Sequence, residues 1–246
     1  MVFPLSDDNS GRRATPYVTF GLIAVNVFVF VFLQKLGDND QFTYAYSCVP
    51  KKIIEGHDLT TPDQVIQDPE TGQMVRVPGM PPTPIPVYLT LISSMFLHGG
   101  IMHILGNMWF LWIFGDNVED DMGPERYLIF YFLCGILASL AHVFTNMTGD
   151  GSVTPSLGAS GAISGVLAGY LVVHPKRRVR VILFRLLTDV PAYVAIGIWF
   201  VFQIVAGVFG GDHGVAHAAH VGGFVAGLLL VKPFLTGREP VPDEPW

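Results

Sequence analysis

Ser160 lies in the run Gly158–Ala159–Ser160–Gly161, just after a loop containing Pro155, and His220 follows sixty residues later. A serine hydroxyl is a poor nucleophile until a base removes its proton, and neutral imidazole is such a base near physiological pH. Attack on a carbonyl then creates an oxyanion that needs preorganised donors. His103 and Asn107 are four residues apart, so one helix face would carry both, and each can donate to an anion. A helix starting near Ser160 would add free N–H groups and a favourable dipole. No acid stands between His213 and Val231 to complete a triad, and Asp212 is eight residues before His220. A serine–histidine dyad is therefore the expected chemistry.

Each of these residues has a plainer reading when taken singly. Ser160 could be a small residue at a helix contact, and Gly161, Gly165 and Gly169, spaced by four, fit that reading as well. Asn107 could be polar glue between helices, His98 could hold a loop, and His142 and His174 could be interfacial residues at helix ends. His213, His217 and His220, spaced by four and three, could share one helix face as metal ligands. No carboxylate or cysteine joins them at depth, so no metal is expected. What favours chemistry is the shared depth of the whole set, which follows from the elements that carry it.

Those elements are apolar. Half of the 246 residues are hydrophobic and 14% are charged, where a soluble domain carries about 25%. Six windows contain no Asp, Glu, Lys or Arg: 14–34, 77–115, 127–149, 151–175, 190–211 and 213–231. A helix of roughly 20 apolar residues crosses a bilayer, so the chain is expected to be an all-α polytopic membrane protein with six spans. Within 77–115, the five prolines from Pro78 to Pro86 exclude a regular helix. The span there is placed at about 101–116, with 87–100 as loop or interfacial helix. Segment 181–187 is short and interrupted by Arg185, and is expected to be interfacial. The stretch 57–86, rich in Pro, Asp, Thr and Gly, is expected to be irregular. No cleavable leader is expected, because the first apolar stretch, Tyr17 to Leu36, is long enough to be retained as a span. Cys48 in a loop and Cys134 in a helix are not expected to pair. The net charge of −6 argues against nucleic acid.

Six spans put both termini on one side. Arg12, Arg13, Arg126, Lys176, Arg177, Arg178, Arg180, Arg185, Lys232 and Arg238 then share that side, and positive residues stay cytoplasmic. The expected organisation is a cytoplasmic tail 1–14, a membrane domain 15–233 with an outer loop 37–100, and a cytoplasmic tail 234–246. Spans two, four and six then run inward, which brings His103, Asn107, Ser160 and His220 to one depth in the outer half. Ser160 and His220 must also approach laterally. The stripe Gly161, Gly165, Gly169 and the pair Gly223, Gly227, three and seven residues past His220, are expected to pack together and allow it.

Three segments resemble the rhomboid intramembrane serine proteases, in the bacterial six-helix form. They are FLHGGIMHILGNMWFLWIFGDNVED at 96–120, SLGASGAISGVLAGYL at 156–171 and AHVGGFVAG at 219–227. The resemblance runs from about 15 to 233. It implies a rhomboid-like bundle in which Ser160 is the nucleophile and His220 the general base. His103 and Asn107 would line the oxyanion site, and Gly158, the glycine of the nucleophile motif, would belong to it as well. It implies substrates that are single-pass membrane proteins, cut near the outer boundary and often after a small residue, and a bacterial inner membrane as the location. The lipid bilayer is then the other partner, with no cofactor. Some members carry a tyrosine four residues after the serine, stacked on the histidine. Ser164 stands there, so the resemblance does not say what orients His220. Trp199, Phe200 and Phe202 of span five would form one wall of a lateral substrate gate. An inactive client-binding relative would lack Ser160 or His220. A transporter using the histidines would show ionisable pairs near the midplane or a duplicated half. The sequence has neither mark.

Overall fold

The computed structural model describes residues 2–67, 72–183, 186–209 and 216–235. His213, Asp212, Arg185, Arg238 and most of the tail 234–246 lie outside the described residues. The chain opens with strand β1 (Val2–Asp7) and then enters helix α1 (Tyr17–Phe28), which continues as a π-helical turn to Leu33. Two short helices follow in the outer loop, α2 (Asp40–Tyr46) and α3 (Pro50–Glu55). The Asn39 side chain accepts the Phe42 N–H at the start of α2, an N-cap that satisfies one of the helix's free donors.

A hairpin of β2 (Gln64–Gln67) and β3 (Met74–Val77) comes next. Short α4 (Thr90–Ser93) precedes the long α5 (Ile101–Met122) and α6 (Pro124–Thr145). Then come α7 (Ser160–Val173), the strands β4 (Arg178–Leu183) and β5 (Leu186–Pro191), and finally α8 (Ala192–Phe209) and α9 (His217–Phe234).

The fold is thus mostly helical but not all-α, which corrects the sequence reading: strands occur in three segments. In the segment expected to be interfacial, residues 181–183 belong to β4 and 186–187 to β5, which with β1 form an antiparallel sheet in the order β1–β4–β5. Alternate β-branched residues, Val179 and Val181, are buried under that sheet, a period of two that a short apolar run does not announce. The stretch 57–86 is not wholly irregular, since it contains the β2–β3 hairpin. Within the N-terminal tail, Val2–Asp7 form β1 of that sheet.

Among the described residues three helices are long and apolar enough to cross a membrane alone: α6, α8 and α9. The segment Val87–Phe96 and α5 form a fourth candidate, bent by 82° at the break. Tyr17–Leu33 and α7 are apolar but shorter. The short α7 packs against α5, α6, α8 and α9, and every residue from Gly161 to Tyr170 is buried. Its approach, 151–159, is only partly covered: Ser152 and Ala159 are buried, while Val153 and Thr154 are exposed.

The opposite end of the bundle is held by charge. The last turns of α5 bury Asp116, Asn117, Glu119, Asp120 and Asp121. Glu119 accepts the N–H groups of Val18 and Thr19 at 2.9 and 2.7 Å and the Thr19 hydroxyl at 2.8 Å. It thereby satisfies the free donors of α1's first turn with an anion at the positive end of the helix dipole. Arg12 pairs with Asp116 and Arg13 with Asp120. His174 is not an ordinary interfacial residue: it is buried, with Nε2 2.6 Å from Asp121 Oδ2.

Candidate active site

Ser160 is the first residue of α7, so its own N–H and the next two have no carbonyl one turn earlier to bond. His220 lies one turn into α9. Its Nε2 stands 2.7 Å from Ser160 Oγ, within the reach a base needs to take the hydroxyl proton.

What brings two backbones this close is the absence of side chains between them. A methyl group built on Gly223 would fall on the carbonyl oxygen of Gly161, and one on Gly227 would fall on that of Gly165. Gly165 in turn leaves room for Cys134 of α6, where a Cβ would meet Sγ at 2.5 Å. Gly161 leaves room for Ala138. Gly169 stands apart from this stripe. A Cβ there would make ordinary contacts of 3.5–3.6 Å with Phe130 and Val118. The stripe of small residues at the contact of α7 and α9 is therefore Gly161, Gly165, Gly223 and Gly227, without Gly169.

His103 and Asn107 lie in the first two turns of α5. The Gly99 N–H donates to His103 Nδ1 at 3.2 Å, which makes Nδ1 an acceptor and leaves the proton on Nε2. That nitrogen faces the serine turn: a Cβ on Gly158 would lie 2.9 Å from His103 Nε2 and 3.5 Å from Ser160 Oγ. Gly158 has a φ of +124°, so the position requires a residue without Cβ on both conformational and steric grounds. Its own N–H donates to the Ser94 carbonyl at 2.9 Å and is not free to bind an oxyanion, which narrows the part the sequence gave it. Asn107 donates to the His103 carbonyl at 2.8 Å, using one of the two protons on its side-chain nitrogen.

The structure also places Ser164, the aromatic residues of α8 and His98. Ser164, where a stacking tyrosine was sought, turns its hydroxyl back to the Ser160 carbonyl at 2.6 Å. Of the three aromatic residues assigned to a gate wall, Trp199 lies inward, 6.1 Å from the His220 ring, and Phe200 stacks on Phe224 at 4.1 Å. Phe202 is half exposed on the outer surface of α8. His98 is buried near His103, ring centroids 5.2 Å apart, and its backbone N–H and carbonyl are both bonded by the Gln34 amide.

Sequence reasoning missed Gln203. Its Oε1 is 2.7 Å from His220 Nδ1 and 2.9 Å from His217 Nδ1. The available signal was an amide in the middle of a charge-free window, where a polar group in lipid needs a reason. No group of three or more potential metal ligands occurs among the described residues. A small cavity beside Ser160 is lined by Ser94, Met95, Gly135, Leu157, Gly158 and Ala219, among others.

The profile of the Rhomboid domain matches residues 86–236, more than half of the chain. The presenilin-associated rhomboid-like protein A, mitochondrial, of Danio rerio is 32% identical over 149 residues, 58% of this chain and 37% of the relative. RHOMBOID-like protein 12, mitochondrial, of Arabidopsis thaliana is 30% identical over 163 residues, covering 61% and 47%. Rhomboid protease GluP of Bacillus subtilis is 33% identical over 140 residues, covering 56% and 24%. The chain thus matches less than half the length of each of these relatives.

Proposed function

This chain belongs to the rhomboid family of membrane proteins, and we propose that it is an intramembrane serine endopeptidase. The observation that carries this reading is the 2.7 Å contact between His220 Nε2 and Ser160 Oγ, at the start of a buried helix whose N–H groups are free. In this reaction Ser160 Oγ attacks the carbonyl carbon of a substrate peptide bond while its proton passes to His220 Nε2. The oxyanion is held by the Ser160 N–H, His103 Nε2–H and the second proton of the Asn107 amide. Collapse breaks the C–N bond, and the leaving amine takes the proton from His220. Water then gives its proton to His220 and attacks the acyl-serine, and return of that proton to Oγ releases the acid.

Substrates in this reading are single-pass transmembrane segments, and the cavity beside Ser160, narrowed by Met95 and Leu157, favours a small side chain before the cut. The chain crosses the bilayer six times when α1 and α7 are counted as spans, with the termini on the side rich in Arg and Lys and the dyad toward the other face. The relatives include mitochondrial proteins of an animal and a plant, so a bacterial inner membrane does not follow from them.

The test is the purified full chain in detergent with a transmembrane reporter substrate. Ser160→Ala and His220→Ala should each lose cleavage while keeping the thermal midpoint, and a strong chelator should leave the parent protein active. Near-normal turnover by either variant removes the dyad, and zinc-restorable loss on chelation would replace it with a metal. For orientation, cysteines introduced in 57–63 should react with an impermeant label from the face opposite the termini. Labelling from the termini's face would invert the arrangement.

A further inference from the structure

Apart from Tyr193 near its start and the indole of Trp199, Gln203 is the only side chain of α8 able to hydrogen-bond. It is 6% exposed, while its neighbours Val201, Phe202, Ile204 and Val205 are 42–58% exposed on the outer surface. A primary amide turned inward from an otherwise apolar helix costs free energy unless it is bonded. Its partners are two imidazoles: Oε1 stands 2.7 Å from His220 Nδ1 and 2.9 Å from His217 Nδ1. The groups facing His220 are thus Ser160 from α7, Gln203 and Trp199 from α8, His217 from its own helix, and His103 within electrostatic reach from α5.

An amide carbonyl oxygen only accepts, so each imidazole that faces it carries its proton on Nδ1. For His220 this leaves the Nε2 lone pair directed at Ser160 Oγ, the tautomer a general base requires. The opposite tautomer would make Nε2 a donor to the serine and unable to take its proton. A triad fixes this choice with a carboxylate. Among the described residues no carboxylate is hydrogen-bonded to His220, and no tyrosine stacks on it.

We propose that Gln203 is the positioning residue of the dyad, holding the Nδ1 proton of His220 and orienting its ring toward Ser160. The proposal rests on the assignment of Ser160 and His220 as nucleophile and base. It also makes the neutral amide a weaker partner for imidazolium than an acid would be, so replacing the amide by a carboxylate has a calculable sign. A carboxylate favours the charged ring, and a higher pH is then needed to free the base.

The experiment uses the full chain in detergent with the same reporter substrate, measuring kcat and KM separately across pH. Gln203→Leu, close in size, should lower kcat about tenfold to a hundredfold with KM within about twofold. Gln203→Glu should keep most of the turnover and move the acidic limb of kcat/KM to higher pH. A Gln203→Leu variant with parent kcat overturns the proposal. So does Gln203→Glu that is as slow as Gln203→Leu, since the acceptor would then not be what matters. Should the leucine variant fail to fold, an unshifted acidic limb in Gln203→Glu is enough to overturn it. Ser160→Ala in the same assay separates the two levels. If it still cleaves, the dyad itself fails; if it is inactive while Gln203→Leu is normal, only the role of Gln203 fails.

Discussion

At the residue scale, the site depends on which proton each polar group carries, and neighbouring backbone or amide groups decide that. Gly99 N–H makes His103 Nδ1 an acceptor, so Nε2 is the donor. Gln203 Oε1 does the converse for His220. Asn107 has one proton bonded to the His103 carbonyl and one left, so its proposed part is that of an oxyanion donor used only when charge develops. Losing one such donor typically costs about a hundredfold or more in turnover. Asn107→Ala is therefore expected to lower kcat by about that factor with KM little changed, as read from initial rates over a range of substrate concentrations. A raised KM at unchanged kcat would make Asn107 a binding or packing residue.

At the element scale, α7 and α9 meet glycine to backbone, while Ala138 and Cys134 of α6 fill the space beside Gly161 and Gly165. Lipid supplies no hydrophobic drive for helix association, so close packing must come from small residues. The approach of α9 to α7 leaves no space for a Cβ at Gly223, whereas Gly169 has ordinary van der Waals room. Gly223→Val should therefore push α9 away from α7 and carry His220 with it. A misplacement of about 1 Å can cost a hundredfold in rate, and the thermal midpoint should fall as well. Gly169→Ala, measured beside it for cleavage and melting, should stay near the parent in both. Equal effects of the two substitutions would show that the Gly161–Gly223 contact does not set the dyad.

At the scale of the whole molecule, the end of the bundle away from the dyad is closed by the N-terminal segment. Strand β1 pairs with β4, Trp109 donates to the Pro4 carbonyl at 2.7 Å, and Asp7 accepts from Tyr170 and Asn117, both at 2.8 Å. Burial and the nearby Asp116 carboxylate push Asp7 up to about 7, outweighing the Tyr170 hydrogen bond and Arg177, which pull it down. Because this carboxyl is harder to ionise in the folded chain, the native state keeps a proton that the unfolded chain has released between about pH 4 and pH 7. Stability should therefore fall as pH rises through that window and level off above it. Asp7→Asn removes this term. Its thermal midpoint relative to the parent is expected to rise from pH 5 to pH 8, and parallel curves would show that Asp7 does not set the dependence.

What the sequence determined by itself is the set of apolar segments and the polar residues embedded in them. Both are local: charge-free length reports on a span, and a Ser, His or Asn within one is conspicuous because lipid penalises it. Ser160, His220, His103, Asn107 and the glycines at the α7–α9 contact were legible on those grounds, and family motifs sharpened them. Only the tertiary structure decided the rest, because it depends on pairings between distant segments. Val2–Asp7 is a strand only because Arg178–Leu183 lies beside it. Asp116, Glu119 and Asp120 are buried because the chain's first nineteen residues supply their donors, and Asp121 is buried against His174. Gln203 meets His220 across two helices joined by a segment that carries no sequence mark of the pairing. The same holds for Gly169: spacing by four puts it on the stripe in sequence, but a Cβ there would meet Phe130 and Val118 at ordinary contact distance, which only the packed helices decide.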